Sequence, residues 1–405
     1  MQLPPLLAAM RRNKVGVIVI SIQTALTLAI MCNGLFIIHG YAELARRPTG
    51  VDEADTFAMS NLWVGHPADL AVRLQTDLAM LRSLPGVVDA YATNAYPLTN
   101  NGTIDTIELT RDQRTPTTQA AVYFADDHAI RTLGLKLIAG RNFSAADIVD
   151  HGDMEALPPV GVIITRDLAD KLFPGGGALG RSVYIESRDY SNPIIGIVDR
   201  LQMPFVIPST SQFSGNSFLA PLRNVVARSN YVVRVERGRL NSVMQTAQKK
   251  LFEINRARVL EKVQTLTEAR IDVYRNWQAL GVTLGIVCSA MLIVTAFGIV
   301  GLTSYWVTQR RRQIGIRRAL GATKSAIVRH FQTENLIIAA AGAVLGMSLA
   351  IALNLWMVSS FQMERLNMVY PLIGAVVVLA LGQLAALWPA LRAASISPAL
   401  ATRSG

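Results

Sequence analysis

Four long apolar runs interrupt an otherwise mixed pattern of hydrophobic and polar positions. The helices that they predict cover residues 15–38, 276–307, 336–357 and 371–388. Since a helix needs roughly 20 mainly apolar residues to cross a bilayer, the pattern predicts four transmembrane α-helices, one N-terminal and three C-terminal. The first run holds 24 residues without a charge. A cleaved signal peptide has only about 7–15 such residues, so we expect this run to remain as a membrane anchor.

The region 39–275 has the shorter periodicities of a globular domain. Residues 68–84 and 240–254 place apolar side chains at helical spacing, and 103–110 alternates as a strand does. Segment 201–218 is rich in Pro, Ser, Gln and Phe and predicts a mobile loop. The fold class is therefore a membrane protein with a large α+β extracytoplasmic domain between the first two membrane helices. The remaining predicted elements are helices at 127–133, 166–173 and from Glu268 into the second membrane helix, and strands at 87–92, 159–165, 182–186, 194–198 and 231–235.

Charge counting orients this arrangement. Residues 1–14, 308–330 and 389–405 carry net charges of +3, +7 and +2, whereas 39–279 holds 26 basic and 26 acidic residues. Cytoplasmic loops carry the excess of Lys and Arg in membrane proteins, so both termini and the loop after the second helix are predicted to be cytoplasmic. The predicted segments are the N-terminus 1–14, helix 15–38, periplasmic domain and stalk 39–275, helix 276–307, cytoplasmic loop 308–335, helix 336–357, periplasmic loop 358–370, helix 371–388 and cytoplasmic tail 389–405.

Composition agrees with a membrane protein, with 51% hydrophobic and only 17% charged residues, against about 25% charged in a typical soluble domain. A pI near 9.9 is typical of nucleic-acid-binding proteins. Here the positive excess lies on one side of the predicted membrane, so we expect no nucleic-acid partner. The two cysteines, Cys32 and Cys288, fall inside predicted membrane helices, so the external domain needs no disulfide.

Motifs for catalysis and for nucleotide binding are missing from this sequence. It has no pair of His or Cys residues at metal-ligand spacing, no G-x-S-x-G elbow and no G-x-x-x-x-G-K-[ST] phosphate loop. Gly175-Gly176-Gly177 follows a predicted helix and lacks the Lys of a phosphate loop, so it is interpreted as a turn. We therefore expect a non-catalytic membrane subunit without a cofactor of its own.

The loop 309–336 has a helical apolar pattern as well as positive charge. Apolar residues recur at Ile314, Ile316, Ala319 and Leu320 and again at Ala326, Ile327 and Phe331. Gly321 is predicted to end a first helix, and Thr323 to cap a second. Such a surface helix binds membrane lipid headgroups or inserts its apolar side into a partner's groove. In the third membrane helix, Gly342-x-x-x-Gly346 predicts close helix packing.

This loop resembles that of MacB/FtsX-type ABC transporter permeases. The family's "EIG-x-x-RA-(I/L)-GA" stretch is similar to residues 313–322, with Gln313 in place of the usual Glu. The family's Glu at the start of the third membrane helix matches Glu334. The C-terminal signature matches Pro389-Ala390, Ala393 and Pro398, with Arg403 near the usual terminal Arg. The domain resembles the family's at Tyr123-Phe124, 133–137, 139–143 (AGRNF), 168–174 (LADKLFP), 179–181 (LGR) and 195–199 (IGIVD).

The resemblance implies how the protein works. In that family the loop contains a coupling helix that docks on a separate cytoplasmic ABC ATPase, which binds ATP and magnesium and is present in two copies. Two permeases pair, so the partner permease is the same chain or a paralogue, and the complex lies in the bacterial inner membrane. A periplasmic adaptor and an outer-membrane channel are further partners that the resemblance allows. The implied ATPase-contact residues are Gln313, Ile314, Arg317, Arg318, Ala319, Leu320, Gly321 and Ala322.

The predicted function is mechanotransmission: ATP hydrolysis in the partner reshapes the periplasmic domain and drives export or extraction of a substrate. One alternative is an FtsX-like regulator or signal transducer that acts on periplasmic partners without moving cargo. Another is an enzyme domain on a membrane anchor, for which no catalytic constellation is found.

Overall fold

The computed structural model describes residues 14–65, 67–152, 157–186, 188–206, 213–361 and 365–395. The chain divides into two compact units, a membrane unit of residues 1–43 and 277–405 and an external unit of residues 44–276. Outside the described residues lie Arg11 and Arg12, two of the three charges of the N-terminus 1–14, and Pro398 and Arg403 of the C-terminal signature.

Within the part of the chain that the structure describes, four helices are long and apolar enough to cross a membrane, which confirms the predicted number and order. The helix predicted from Glu268 into the second membrane helix is confirmed as one element that begins at Leu266. The third begins at Lys324, twelve residues before the predicted apolar run, so the second helix of the loop and the membrane helix are continuous. The segment boundaries assigned from the sequence stay predictions. The helices are α1 (Lys14–Arg46), α6 (Leu266–Gln309), the short α7 (Arg311–Ala319), α8 (Lys324–Phe361) and α9 (Val369–Ala394).

A capping box fixes the start of α6. The Thr265 N–H donates to Glu268 Oε2 (2.8 Å), and the Glu268 N–H donates to Thr265 Oγ1 (3.0 Å). This reciprocal pair satisfies two of the N–H groups that a helix leaves without partners at its N-terminus. The helix therefore has a defined first residue, although most of its length is set by the apolar run.

Close packing in the membrane unit occurs where Gly342 and Gly346 of α8 meet α1. A Cβ atom added at Gly342 would lie 2.8 Å from Ser21 O, and one added at Gly346 would lie 2.9 Å from Ala25 O. Hydrogen bonds also join the helices, among them Asn335 Nδ2 to Gly382 O (2.9 Å). Without a hydrophobic driving force between helices in lipid, such contacts and small residues stabilise the bundle.

Gly346→Leu is expected to lower the unfolding free energy of the membrane unit by about 1–3 kcal/mol, the usual range for overpacking. The added side chain meets the backbone of α1, which cannot move aside as a flexible side chain can. Thermal unfolding of the purified chain in detergent measures this loss. Gly285→Leu in α6 is the matched control, since nothing lies within 4 Å of the position of its Cβ. Equal melting temperatures for the two variants would contradict the packing role of Gly346.

The external unit contains thirteen strands among its described residues. Four of them form an antiparallel sheet of order β13-β1-β12-β2, and seven form a mixed sheet of order β5-β9-β7-β10-β4-β3-β8. The strands β11 and β6 form a separate, two-stranded parallel sheet. The elements are β1 (Thr56–Trp63), α2 (Leu70–Ser83), β2 (Val87–Thr93), β3 (Thr103–Glu108), β4 (Thr118–Phe124), α3 (Ala129–Leu133), β5 (Leu137–Gly140), β6 (Val149–His151), β7 (Val162–Thr165), α4 (Arg166–Leu172), β8 (Ser182–Ile185), β9 (Asn192–Val198), β10 (Ser217–Ala220), β11 (Leu222–Asn224), β12 (Arg228–Val235), α5 (Leu240–Ile254) and β13 (Arg258–Thr265).

Two hydrophobic cores divide the external unit into two lobes. Helices α2 and α5 cover the four-stranded sheet around Phe57, Met59 and Tyr231, and α4 packs on the seven-stranded sheet around Phe218 and Ile164. The lobes are joined by Asn94, which follows β2: its Nδ2 donates to Val122 O of β4 (3.1 Å) and its Oδ1 accepts the Phe124 N–H (2.9 Å). The amide group of Asn94 thus makes the two hydrogen bonds to β4 that the backbone of a neighbouring strand would make. These bonds connect β4 to the lobe that contains β2.

The mobile loop predicted over 201–218 is wrong for the part that the structure describes. Leu201 and Met203 are fully buried, the Met203 N–H donates to Ser214 O (2.9 Å), and β10 begins at Ser217. The prediction failed because it rested on the polar composition of the whole segment, whereas a few buried apolar side chains fix the segment in the core.

Candidate docking surface between the second and third membrane helices

The loop between α6 and α8 has a defined turn after α7. The Gly321 N–H donates to Arg318 O and the Ala322 N–H to Arg317 O, both at 3.1 Å. Gly321 has a φ of +96°, a left-handed conformation that favours glycine. This is a Schellman motif, which satisfies the last carbonyl groups of the helix. The prediction that Gly321 ends the first loop helix is confirmed.

One side of α7 faces inward. Ile314 is 5% exposed and belongs to a hydrophobic cluster with Val307 of α6, Phe331 of α8 and Ala390 of α9. Arg318 Nη1 donates to Ala394 O, at the end of α9, over 3.0 Å. Ile314 and Arg318 therefore hold the loop against the helix bundle; Ile314 is buried, whereas Arg318 is half-buried.

A buried ion pair fixes the connection between α6 and α8. Arg310 lies between α6 and α7, and its Nη1 donates to both carboxylate oxygens of Glu334 in α8, at 3.1 and 2.9 Å. The Glu334 side chain is 3% exposed and that of Arg310 is 16% exposed. The sequence offered one signal for this pair, because Glu334 is the only acidic residue between 280 and 361. Nothing in the sequence singles out Arg310 among the neighbouring arginines as its partner.

The other side of α7 is open. Leu320 is 83% exposed and Ile316 is 45% exposed, while Ala322 is only partly exposed. We call the exposed set the docking face. An exposed apolar residue at the tip of a helix, flanked by a guanidinium, suits a groove with an apolar floor and an acidic rim. Ile316 belongs to the apolar pattern of the loop but not to the contact set that the resemblance implies. The docking face consists of Gln313, Ile316, Arg317, Ala319, Leu320 and Gly321.

Two family profiles match the chain. The MacB-like periplasmic core domain matches residues 24–250, more than half of the chain, and the FtsX-like permease C-terminal domain matches residues 285–398. The second profile includes the whole docking face.

Curated relatives agree with these profiles. The chain is 25% identical over 338 residues to "Macrolide export ATP-binding/permease protein MacB" of Chromobacterium violaceum, covering 78% of this chain and 48% of that protein. It is 23% identical over 303 residues to "Uncharacterized ABC transporter permease YvrN" of Bacillus subtilis, covering 70% of this chain and 69% of that protein. The chain thus spans about half the length of the MacB relatives that it matches.

Solved structures include the periplasmic region of MacB from Actinobacillus actinomycetemcomitans. It is 15% identical, with a TM-score of 0.34, and the match covers 57% of this chain and 97% of that structure.

Proposed function

Because this chain belongs to the family of MacB/FtsX-type ABC transporter permeases, we propose that it couples an ATPase to movement of its external domain. The observation that supports this proposal is the exposed docking face on the loop between α6 and α8. The ATPase is a separate cytoplasmic chain that binds ATP and magnesium, two copies of it serve two permeases, and this chain contributes no catalytic group. Export or extraction of a substrate is the work that the movement performs.

The charge pattern supports an orientation for this proposal. The membrane is the bacterial inner membrane, both termini are cytoplasmic, and the external unit is periplasmic. This places the docking face, with Arg317 exposed beside Leu320, on the side where ATP is available. A periplasmic adaptor and an outer-membrane channel are proposed partners on the other side.

Movement is proposed to pass along α6. The helix runs without interruption over 44 residues, which is about 66 Å at ~1.5 Å per residue. A helix without a break transmits a displacement at one end to the other, and kinks need a proline, a bulge or an inserted side chain.

Arg270 anchors the first turns of α6 within the external unit. Its Nε and Nη2 donate to the two carboxylate oxygens of Glu53 at 2.7 and 2.6 Å. Its Nη1 and Nη2 also donate to Ala45 O (2.8 Å) and Arg47 O (3.1 Å). Burial alone would raise the pKa of Glu53, but the hydrogen bonds from Arg270 and Thr49 hold it below its usual value. The bidentate pair therefore stays charged at neutral pH and connects α6 to the chain that follows α1.

The docking proposal is tested by Leu320→Asp. We expect at least about tenfold weaker binding of the ATPase, since a carboxylate placed in an apolar contact costs ~1.4 kcal/mol or more. Stimulation of ATP hydrolysis by the permease is lost with it. Co-purification of the ATPase in mild detergent and the ATPase rate of the reconstituted complex measure the two effects.

Leu179→Asp in the external unit is the matched control, because Leu179 is also exposed, at 44%, and carries the same change. It is expected to leave ATPase binding at the wild-type level. Ile314→Asp is not suitable as a docking test, because its buried side chain makes a folding defect the expected result. Wild-type assembly and coupling in Leu320→Asp would show that the docking face is not the ATPase contact.

A further inference from the structure

The outward side of α9 is apolar until the last turn of the helix, where it carries an arginine. Leu384, Trp388 and Leu391 are 69%, 58% and 53% exposed, whereas Ala386, on the opposite side, is fully buried in the bundle. Residues three and four apart share one side of a helix, so Arg392 lies on the same side as Trp388, and it is exposed as well. This side of α9 is therefore open to the surrounding lipid and ends in a cation.

The guanidinium of Arg392 lies against the indole of Trp388. Its Cζ atom is 5.6 Å from the centroid of the Trp388 ring, within the roughly 6 Å over which a cation is attracted to the face of an aromatic ring. The ring holds the guanidinium in place but carries no negative charge to neutralise it. Arg392 is thus positioned and still able to bind an anion.

The end of the helix bundle that carries Arg392 has an excess of positive charge. Residues 308–330 and 389–405 contain no acidic residue, and Glu334 of α8, which also lies near this end, is buried and paired with Arg310. Like charges without counter-charges repel one another, so this surface favours an anionic partner. The exposed cations among the described residues of these two segments are Arg311, Arg312, Arg317, Lys324, Arg329 and Arg392.

The carbonyl groups at the end of α9 are partly neutralised. A helix carries partial negative charge at its C-terminus, which disfavours an anion there. In α9, Arg318 Nη1 donates to Ala394 O over 3.0 Å, and the Ser395 N–H donates to Arg392 O over 3.3 Å. These donors reduce the repulsion that an anion beside Arg392 would meet.

The spacing of the side chains along α9 matches the parts of a phospholipid. Leu384, Trp388 and Arg392 follow one another at intervals of four residues, about 6 Å each at ~1.5 Å per residue. Acyl chains, glycerol linkage and phosphate follow one another in the same order across a lipid leaflet. Indole rings lie at the level of the headgroups, and the planar guanidinium group binds two phosphate oxygens at once.

The headgroup that suits this surface has a net negative charge. Phosphatidylcholine brings its own ammonium group to an end of the bundle that already holds six exposed cations, and this repulsion offsets the attraction of its phosphate. Phosphatidylglycerol carries the same phosphate next to an uncharged glycerol. Basic segments beside a bilayer attract anionic lipids for this reason.

We propose that Arg392 and Trp388 form a binding site for an anionic phospholipid, with the phosphate on the guanidinium and the acyl chains along Leu384 and Leu391. The site goes beyond the proposed function, which assigns no lipid to the chain. Only the choice of leaflet, the cytoplasmic one, rests on the proposed orientation. Docking of the ATPase at Leu320 and binding of the lipid at Arg392 therefore stand or fall separately.

Thermal unfolding of the full chain in dodecyl maltoside tests the site, with dioctanoyl-phosphatidylglycerol and dioctanoyl-phosphatidylcholine as probes. A ligand that binds the folded chain raises its melting temperature. At saturating lipid we expect phosphatidylglycerol to raise it by about 2 °C or more beyond phosphatidylcholine. Arg392→Gln, which removes the charge and keeps a polar side chain, is expected to remove most of this difference. Trp388→Leu, which keeps an apolar contact, is expected to remove part of it.

Three controls separate the site from other effects. Arg329→Gln removes an exposed cation from α8 near the same end and is expected to keep the wild-type preference for phosphatidylglycerol. Glycerol 3-phosphate, which has the phosphate without acyl chains, is expected to cause no shift. Leu320→Asp is expected to keep the lipid preference whether or not it loses the ATPase.

Equal shifts with the two lipids, or an unchanged preference in a folded Arg392→Gln chain, would overturn the proposal. An equal loss of preference in Arg329→Gln would also overturn it, because the effect would then come from diffuse charge rather than from one site. A shift with glycerol 3-phosphate as large as that with the lipid would show a site for free phosphate instead.

Discussion

Replacing Asp77 by alanine is expected to lower the free energy of unfolding of the external unit by about 3–5 kcal/mol, because it leaves a buried guanidinium without its counter-charge. Arg258 donates to both oxygens of Asp77, at 2.7 and 2.9 Å, and the Tyr231 hydroxyl donates to Oδ2 at 2.7 Å. The side chains of Asp77 and Arg258 are 1% and 0% exposed. The Arg258 guanidinium also lies 4.1 Å from the ring centroid of Trp63.

Hydrogen exchange measured by mass spectrometry on peptides of β12 and β13 reports this loss in the full chain. Asp69→Ala is the matched control, since Asp69 pairs with Arg73 on the surface, where its side chain is 53% exposed. Exposed pairs contribute only about 0.2–1 kcal/mol. A similar loss of protection in both variants would contradict the assignment of Asp77 as a buried support.

The double variant Asp77→Ala with Arg258→Met separates two free energies: the cost of leaving the Arg258 guanidinium buried without a counter-charge, and the stabilisation that the ion pair itself provides. An apolar residue of similar length removes the unpaired guanidinium, so we expect the double variant to be more stable than Asp77→Ala alone. Additive losses in the two single variants would instead show that the residues act independently.

Replacing Glu334 by alanine is expected to destabilise the membrane unit by about 3 kcal/mol or more, for the same physical reason. Arg310 would keep its charge at a site where it is only 16% exposed, and the connection from α6 through α7 to α8 would lose its buried ion pair. Glu334→Gln, which retains an oxygen acceptor for Arg310, is expected to cost less. Thermal unfolding of the chain in detergent ranks these variants.

The docking face should respond to the same change. Arg310 immediately precedes α7. We therefore expect the Glu334→Ala chain to bind the ATPase more weakly even at temperatures at which this variant is still folded. Glu43→Ala in α1 is the control, since the Glu43 side chain is 64% exposed and pairs with His39 at the surface. Full ATPase binding by a folded Glu334→Ala chain would show that the pair supports the bundle without positioning α7.

The sequence was sufficient for the features that depend on local pattern. Apolar runs long enough to cross a bilayer determine the number and order of the membrane helices, and the helix from Glu268 follows from unbroken periodicity. Gly321 could be assigned as a helix end because its left-handed conformation is a property of one residue. The family could be identified for the same reason, since its motifs are contiguous stretches such as 313–322.

Only the tertiary structure decided which of these residues face inward and which partners they meet. The apolar pattern of α7 contained Ile314, Ile316 and Leu320 alike, but the end of α9 covers the first and leaves the others open. Asp77 and Arg258 form a buried ion pair although they lie 181 residues apart in the sequence. The role of Glu334 likewise became clear only from its ion pair with Arg310.

Hydropathy and turn propensity are summed over neighbours in the chain, so they determine helices, strands and their ends. Ion pairs, exposed faces and cavities arise where distant segments exclude water together, and only the folded chain brings those segments into contact.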